Sequence, residues 1–520
     1  MKRLEKLNIE NQKHFNDSVA DFLEKTDKSI EWLVSLPVSR HTYQSKLYFT
    51  LLQLLINEKD NIPILKNQKP VYIRIKLIYG KAKSIYRIIQ LVFKEIVSKD
   101  SKRKNEVRGK SIKLLDTFIL SNSIKQRKYI DRYYNGLLDN LTEVEKDKIF
   151  FLPTFIGSYS SNDVKAIHNN SCENFIFRQD FLKPIDYFIA FWKLFKMQFP
   201  QKGHVLFKNI DVTKEFYREF SLSKYNTSSY QGILNYFLVR RLKQSKVDIQ
   251  LLIDWNENQP IDKGLIRGMK DFYSNVKTKG YQGYIISTDF NFYIQPTDFE
   301  IQNKVIPDEI LVVGDGLKER INKFSKQVKV NTAPAFRFGD VFKEFKRETN
   351  NKKIMLALPI GLTEAMDIMN ISYEGLKNLS DDIEILVKPH PSLNIKKLKS
   401  TLGEKCLAKH KFIYGDFNRE VSQVDVLIGS TSTTLLETLT KGIPVIVIGS
   451  QKGITQNPIP KKVDKRIWKL CYTSNQVLDA FKMFTDIEEI EKKKFIEIGK
   501  EIKRGYFQEI TQDLCFKFLN

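Results

Sequence analysis

The sequence predicts an α/β protein of two domains, each built around a parallel, doubly wound sheet. A chain of 520 residues is longer than one hydrophobic core usually supports. In its last third, short runs rich in β-branched residues alternate with helical patterns, which is typical of βαβ units. Runs such as Val445–Ile448 are apolar without interruption, as expected for strands covered on both faces.

The C-terminal domain is the more regular of the two and is placed at residues 346–485. Its predicted strands are Lys353–Leu358, Ile383–Lys388, Lys411–Tyr414, Asp425–Ile428 and Pro444–Ile448, with helices at Thr363–Leu379 and Thr433–Lys441 and a short helix before Lys411. A charged, polar segment at Phe342–Lys353 precedes it and marks the domain boundary.

The N-terminal domain is predicted over residues 31–345, after a charged helical segment at 1–30. Its candidate strands are Val71–Ile75, Leu114–Leu120, Lys148–Leu152, Asn174–Phe177, Asp248–Ile253, Tyr281–Ile286 and Glu309–Val313, with helices at Ile233–Gln244 and Asp262–Asn275. Two Rossmann-like domains in series face each other across a cleft at the carboxyl ends of their sheets, where such folds bind ligands.

The net charge of +24 suits an anionic membrane surface, nucleic acid or phosphorylated substrates. A coding bias towards lysine, asparagine and isoleucine explains the excess equally well. The sequence contains no RNA-binding signature, zinc finger or basic helix-turn-helix pattern, so no nucleic-acid partner is expected.

The termini and cysteines indicate a cytoplasmic, reduced protein. The first residues are charged rather than apolar, and no run of about 18 apolar residues occurs. The four cysteines, Cys172, Cys406, Cys471 and Cys515, lack the spacing of a metal site or a disulfide framework. No metal site is therefore expected.

One segment has the pattern of an amphipathic basic helix. Between Lys81 and Lys99, apolar residues repeat at helical spacing with lysines and an arginine around them. Such a helix can lie on an anionic bilayer, which would attach the protein peripherally at the inner face of the membrane. The same stripe can instead pack against a sheet.

The first chemical motif is at the end of the predicted strand Ile383–Lys388. Lys388 and His390 alternate with prolines, which fix the loop and hold the histidine at the carboxyl edge of the sheet. An imidazole N–H and an ammonium group can stabilise the negative charge of a departing nucleoside phosphate. A structural exit from the strand uses the same residues.

About forty residues later, a strand leads through a glycine into a hydroxyl-rich turn and a helix. Backbone N–H groups at a helix start, together with these hydroxyls, can hold a phosphate; ordinary helix capping needs only one of them. The donor-binding candidates at this turn are Gly429, Ser430, Thr431, Ser432, Thr433 and Glu437.

Lys-Pro-His-Pro at 388–391 and Gly-Ser-x-Ser-Thr-x-Leu-x-Glu-x-Leu-x-x-Gly-Ile-Pro-Val at 429–445 resemble the donor domain of GT-B glycosyltransferases. The pattern is closest to enzymes of bacterial surface polysaccharide synthesis, the sialyl- and Kdo-transferase groups and the teichoic acid glycerophosphotransferases. The resemblance covers about 350–475. It implies that Lys388 and His390 meet the donor phosphate, that the hydroxyls cradle it, that Glu437 holds the ribose, and that helices at 486–520 pack back on the N-terminal domain.

Upstream, the stretch Asp254–Pro260 and the segment Gly280–Tyr284 resemble the Glu-Asn-Gln and Gly-Tyr-Gln stretches of the same proteins. An inverting transfer needs a carboxylate that takes the proton of the acceptor hydroxyl. The resemblance implies Glu257 as this base, with Asp254 second; a turn with a structural N-cap is the alternative.

The remaining candidates are weaker. Asp315 stands between glycines after a predicted strand, and Gln282 belongs to the Gly-Tyr-Gln stretch; both are candidates for the cleft. Ser39, Arg40, Ser45 and residues 121–123 are candidates for the acceptor side.

The resemblance implies an inverting, metal-independent glycosyltransferase with a nucleotide-sugar as co-substrate, a CMP-sugar being favoured, and no other cofactor. The acceptor is expected to be a surface polysaccharide, such as capsule or O-antigen, or a lipid-linked glycan. A phosphotransferase using CDP-glycerol or a similar alcohol, a sugar- or nucleotide-binding subunit without activity, and a UDP-sugar 2-epimerase remain as alternatives.

Overall fold

The computed structural model describes residues 2–60, 70–120, 124–125, 128–157, 159–171, 173–201, 203–345, 353–380, 382–451 and 453–520. The α-helices of this part of the chain are α1 (Lys2–Glu24), α2 (Ile30–Leu33), α3 (Leu36–Ser39), α4 (Leu47–Asp60), α5 (Pro70–Ser98), α6 (Ser101–Val107), α7 (Glu143–Lys146), α8 (Ser161–Asn170), α9 (Arg178–Phe181), α10 (Pro184–Lys196), α11 (Thr213–Ser223), α12 (Thr227–Gln244), α13 (Pro260–Phe272), α14 (Asp298–Gln302), α15 (Lys318–Ile321), α16 (Leu362–Leu376), α17 (Ile395–Thr401), α18 (Glu404–Ala408), α19 (Phe417–Val421), α20 (Thr434–Leu439), α21 (Ser474–Thr485), α22 (Glu489–Tyr506) and α23 (Gln512–Leu519).

The strands of the described residues are β1 (Ser111–Leu120), β2 (Ile124–Lys125), β3 (Lys128–Tyr129), β4 (Ile149–Ile156), β5 (Asn174–Phe175), β6 (Leu206–Phe207), β7 (Ile210–Asp211), β8 (Asp248–Trp255), β9 (Lys277–Gln282), β10 (Glu309–Val312), β11 (Lys329–Thr332), β12 (Lys353–Leu358), β13 (Glu384–Pro389), β14 (Lys411–Phe412), β15 (Val426–Gly429), β16 (Val445–Ile448) and β17 (Trp468–Cys471).

Two parallel sheets organise the molecule. The N-terminal sheet has the strand order β11-β10-β9-β8-β1-β4-β5, and the C-terminal sheet has the order β14-β13-β12-β15-β16-β17. Every pairing within these two sheets is parallel. The predicted fold class, two α/β units with parallel sheets, is therefore confirmed.

The strand predictions are accurate where a strand is buried on both faces. β12 occupies the predicted Lys353–Leu358, and β16 is buried throughout. The prediction of a strand over Val71–Ile75 is wrong, because this segment lies in the first turns of α5. An apolar run of this length fits a helix or a strand equally well, and here it continues into the helical repeat that follows.

Helices α12 and α13 cross at close range on the N-terminal sheet. A Cβ atom added to Gly264 would lie 1.9 Å from the carbonyl oxygen of Gly232, and one added to Gly268 would lie 2.9 Å from Val239 Cβ. Only glycine permits this approach of one helix backbone to the other. The crossing matters for the site because the first turn of α13 follows the loop after β8.

The chain ends against the N-terminal sheet. The Gln508 N–H donates to the Val313 carbonyl at 2.6 Å, and the Gln508 carbonyl accepts from the Ala335 N–H at 2.9 Å. Further along, the Phe518 ring packs edge-on against Tyr281 and Phe336. The last helices thus fix the segment that connects the two sheets.

The first helix also contacts both parts of the chain. In α1, Gln12 Nε2 donates to the Asp289 carbonyl at 2.7 Å, while the Glu5 carboxylate accepts from the Tyr472 hydroxyl at 2.9 and 3.0 Å. Among the described residues, no helix has both the length and the apolar character needed to cross a membrane.

Candidate functional site

The C-terminal part of the site begins at the end of β13. His390 is half-buried, and its Nδ1 accepts a hydrogen bond of 3.0 Å from the Ser392 N–H. Burial, and next the charge of Arg337, lower the pKa of His390. The ring is therefore neutral near pH 7, and because Nδ1 is an acceptor, Nε2 carries the proton and can donate to a ligand oxygen.

Lys388 points to a different partner. Its Nζ donates to the Gly415 carbonyl at 2.6 Å, in the loop that follows β14. In this arrangement the lysine ties the end of β13 to the loop after β14. Because an ammonium group has three donors, the others can still contact a ligand oxygen.

The hydroxyl-rich turn follows β15, the strand next to β12 in the C-terminal sheet. Ser430 is buried, and its hydroxyl has no hydrogen-bond partner within the described part of the chain. Ser432 Oγ instead accepts from the Thr434 hydroxyl at 2.8 Å. α20 begins at Thr434 rather than at the predicted Thr433. The turn therefore presents one unpaired hydroxyl at Ser430, beside the half-buried Thr431.

A small pocket opens beside this turn. Ser430 and Thr431 line it together with Gly449 and Ser450 after β16, and with Glu364 and Asp367 from the start of α16. Two carboxylates disfavour a bare phosphate group at this position, whereas they are good acceptors for sugar or ribose hydroxyls. The pocket thus has the composition of a hydroxyl-binding site.

Glu437 lies in α20 and is half-buried. Burial raises the pKa of its carboxyl group to about 7, against the opposing charges of Arg337 and Lys441 and a hydrogen bond with Thr433. From the sequence, this glutamate, one turn into the helix, is predicted to hold the ribose of the donor.

The N-terminal part of the site is the loop after β8. Glu257 is half-buried; its Oε1 accepts from Trp255 Nε1 at 3.1 Å and its Oε2 from Gln259 Nε2 at 2.5 Å. Burial raises its pKa. A carboxylate that is held by two donors, has a raised pKa and is partly open to solvent has the properties of a general base.

A cluster of carboxylates lies behind Glu257. Asp116, Asp254 and Asp262 are buried, and each brings one oxygen within 4.8 Å of the others. Burial and their mutual repulsion raise the pKa values of Asp116 and Asp262, and burial raises that of Asp254 to about 7. Such a group either shares protons or holds a cation. Neither Asp116 nor Asp262 was a predicted site residue, and no metal site was expected from the sequence.

Arg337 connects the two parts of the site. It lies in the 3₁₀ turn Phe336–Phe342, between the two sheets, and is exposed. Its charge partly offsets the rise that burial causes in the pKa values of Glu257, on the N-terminal side, and Glu437, on the C-terminal side, and it adds to the lowering of the pKa of His390. Arg337 was not predicted from the sequence, where its only signal is a lone cation between two phenylalanines.

A buried ion cluster holds the backbone next to Glu257. Arg40 pairs with Glu300 at 2.6 Å, and Lys263 pairs with Glu300 at 2.8 Å. Asn258, which has a positive φ of 52°, donates to the Tyr293 carbonyl at 2.6 Å and to Glu300 at 3.1 Å. Arg40, predicted for the acceptor side, therefore fixes the loop that carries Glu257.

The other predicted residues have these positions. Ser39 is buried and its hydroxyl donates to the Leu36 carbonyl, and Ser45 donates to Glu219 at 2.8 Å. Gln282 is fully buried, with its amide donating to the Ile294 carbonyl at 3.3 Å. Residues 121–123 lie outside the described residues.

Asp315 is exposed and forms an ion pair of 2.6 Å with Lys318. The glycines beside it have a packing reason: a Cβ atom on Gly314 would lie 2.2 Å from the Tyr506 backbone, and one on Gly316 would lie 2.5 Å from the Tyr506 ring. The Gly-Asp-Gly sequence is thus explained by the contact with the end of α22.

The sequence matches no protein-family model and no curated protein. Among solved structures, the chain is similar to HepE from Anabaena in complex with UDP-glucose, at 8% identity over 78% of this chain and 98% of that chain, with a TM-score of 0.44. It is also similar to α,α-trehalose 6-phosphate synthase from Burkholderia multivorans (8% identity, 79% and 95% covered, TM-score 0.44). A third is MnaA from S. aureus with UDP (14% identity, 79% and 95% covered, TM-score 0.42).

Proposed function

We propose that the chain is an inverting glycosyltransferase that moves a sugar from a nucleotide-activated donor to a surface polysaccharide or lipid-linked glycan. One observation carries the proposal: the charge of Arg337 acts on Glu257 and also on His390 and Glu437. The carboxylate suited to be a base and the motifs suited to bind the donor are thus within the range of the charge of one arginine.

In the proposed reaction, the acceptor hydroxyl attacks the anomeric carbon of the donor sugar and gives its proton to Glu257. The bond between the anomeric carbon and the phosphate oxygen breaks, and the electron pair leaves with the nucleotide. Arg337 and the Nε2–H of His390 stabilise the negative charge on the leaving phosphate. The proton ends on Glu257 and the electron pair on the departing nucleotide, so the atoms and charges of the transfer balance.

We propose that the sugar or ribose hydroxyls of the donor contact Glu437 and the pocket lined by Ser430 and Glu364. The motif resemblance favours a CMP-sugar, and UDP-sugars are the next candidates. The positive charge of Arg337 and the hydrogen bond from His390 stabilise the leaving phosphate, a role that a divalent ion fills by coordination in other transferases. Full activity in the presence of a chelator is the expected result, and loss of activity restored by Mg²⁺ or Mn²⁺ would contradict metal independence.

A thermal-shift panel with CMP, CDP, UDP, GDP and dTDP tests the donor site. A nucleotide at about 100 times its dissociation constant stabilises the folded state by about 2.7 kcal/mol, so one nucleotide is expected to raise the melting temperature. The Arg337→Ala and His390→Ala variants are expected to lose most of this shift. Arg466→Ala, which removes an exposed arginine paired with Asp464, is the matched control and is expected to keep it.

The outcomes distinguish the alternatives. Stabilisation without sugar transfer to any acceptor favours a binding subunit, and release of free sugar or isomerised donor favours an epimerase. Glycerophosphate transfer from CDP-glycerol identifies the phosphotransferase. If no nucleotide shifts the melting temperature, the proposal of a nucleotide-sugar donor is wrong.

A further inference from the structure

Two neighbouring helices of the N-terminal part expose apolar side chains in regular stripes. On α5, the exposed apolar residues are Tyr79, Tyr86, Ile89, Phe93, Ile96 and Val97, and on α10 they are Ile185, Phe188, Trp192 and Phe195. Most neighbours in each set are three, four or seven residues apart, so each set occupies one face of its helix. Phe93 is 67% and Phe188 62% exposed. Stripes of this kind indicate an interaction surface.

The two helices are linked near both ends. Near the end of α5, Glu95 accepts from the hydroxyl of Tyr187 in the first turn of α10 at 2.8 Å. Nearer the start of α5, Lys81 lies over the ring of Tyr225, and the adjacent Lys224 donates to the Phe195 carbonyl near the end of α10 at 3.1 Å. We call the exposed faces of α5 and α10 together the α5–α10 face.

Every acidic side chain on α10 and on the described part of α5 is buried. The only acidic residue of α10, Asp186, pairs with Arg240 and Arg241. On the described side chains of α5, the only acidic residue is Glu95, which pairs with Arg178. The basic residues include Lys83, Arg87 and Lys94 on α5, and Lys183 and Lys196 at the ends of α10. The following helix α6 carries Lys102 and Lys104 and also the exposed Glu106.

We propose that the α5–α10 face binds the surface of an anionic lipid bilayer, with its aromatic side chains in the headgroup region. The sequence pattern of α5 is compatible with core packing, and the structure does bury Ile88. It also exposes Ile89, Phe93 and Ile96, and it adds a second stripe from α10. Aromatic side chains flanked by lysines suit an interface of this kind, because rings enter the boundary region while cations meet lipid phosphates. A second copy of the chain would bring two positively charged faces together, which is unfavourable.

Trp192 provides a direct measurement of this binding. It is half-exposed, whereas Trp32, Trp255 and Trp468 are buried. Full-length protein is mixed with vesicles of phosphatidylcholine alone and with vesicles that contain phosphatidylglycerol. Tryptophan emission is expected to shift to the blue only with phosphatidylglycerol, and the shift is expected to decrease with added salt. Trp192→Phe is expected to abolish the shift while vesicle flotation persists.

Two variants test the two halves of the face by flotation. Phe93→Ser combined with Phe188→Ser is expected to weaken binding roughly tenfold or more, because each removes an aromatic side chain from the interface. Lys83→Glu combined with Arg87→Glu keeps every aromatic residue and is expected to have a similar effect through charge. The matched controls, on helices elsewhere, are Phe516→Ser, at a position 52% exposed, and Lys493→Glu, also exposed.

Failure of the wild-type protein to float with phosphatidylglycerol vesicles would overturn the proposal. Equal binding by the wild type and both double variants would do the same. If lipid-free protein self-associates and the aromatic variant becomes monomeric, the face is an interface between copies instead. None of these measurements needs sugar transfer, so their results are independent of the proposed enzymatic function.

Discussion

Asp262 holds the backbone of Glu257: its Oδ2 accepts a hydrogen bond of 2.9 Å from the Glu257 N–H. The same oxygen accepts from the Gln259 N–H, also at 2.9 Å, so it both caps α13 and closes the loop after β8. The candidate base is therefore positioned by a residue in the first turn of the next helix.

Replacing Asp262 with alanine should lower both stability and transferase activity. Loss of a capping acceptor costs about 1–2 kcal/mol, and a looser loop no longer holds the Glu257 carboxylate in place. Asp262→Asn retains an oxygen acceptor of the same shape and is expected to be much closer to the wild type in urea unfolding and in turnover. Equal losses in both variants would show that the acceptor oxygen is not what matters.

Replacing Asp254 with asparagine should change how stability depends on pH. Its pKa is raised from 3.8 to about 7, so the folded state binds this proton more tightly than the unfolded chain does. This contribution to stability is fully present below about pH 4 and is lost as the pH rises through about 7. The asparagine variant does not lose this contribution. Its free energy of unfolding, relative to that of the wild type, is therefore expected to rise by about 1–3 kcal/mol between about pH 5 and about pH 8.

Urea unfolding at both pH values measures this difference, and the exposed Asp315→Asn is the matched control. A constant difference between Asp254→Asn and the wild type would mean that the buried carboxylates do not hold an extra proton. Unfolding with and without Mg²⁺ tests the other state of the cluster: stabilisation by the ion in the wild type, absent in Asp254→Asn, would identify a cation site.

Glu257→Gln should reduce kcat and leave the donor KM nearly unchanged. A general base contributes about 10²–10⁴-fold to a transfer, and glutamine keeps the hydrogen bond from Trp255 Nε1 but cannot take a proton. Glu364→Gln is the comparison: this acid lines the pocket beside Ser430, and its loss should raise the donor KM more than it lowers kcat. If neither Glu257→Gln nor Asp254→Asn reduces transfer, the assigned base is wrong.

Gly264→Ala should destabilise the N-terminal sheet by about 1–3 kcal/mol or more, because its methyl group would overlap the Gly232 carbonyl at the crossing of α12 and α13. Gly505 in α22 is the matched control, since a Cβ atom there has no neighbour within 4 Å. Gly505→Ala is expected to stabilise by about 0.5–1 kcal/mol through helix propensity. Thermal unfolding of both variants measures the contrast.

The sequence by itself was sufficient for the fold class and for most strands of the C-terminal sheet. Strands such as β12 and β16 are continuous apolar runs bounded by turns, and that pattern is local. The strand prediction failed at Val71–Ile75, where the same apolar pattern occurs at the beginning of the long helix α5. The exposed stripe of α10 was also missed, because apolar residues at helical spacing do not reveal whether they face the core or solvent.

Local motifs also sufficed to name Glu257, His390, Ser430 and Glu437 as candidates, and their roles remain predictions. Only the tertiary structure placed Asp116 beside Asp254, through the parallel pairing of Leu115 with Ile253. It alone placed Arg337 where its charge reaches both parts of the site. These relationships arise from strand pairing and from the path of the connecting segment, which join residues far apart in the chain and leave no periodic or local pattern in the sequence.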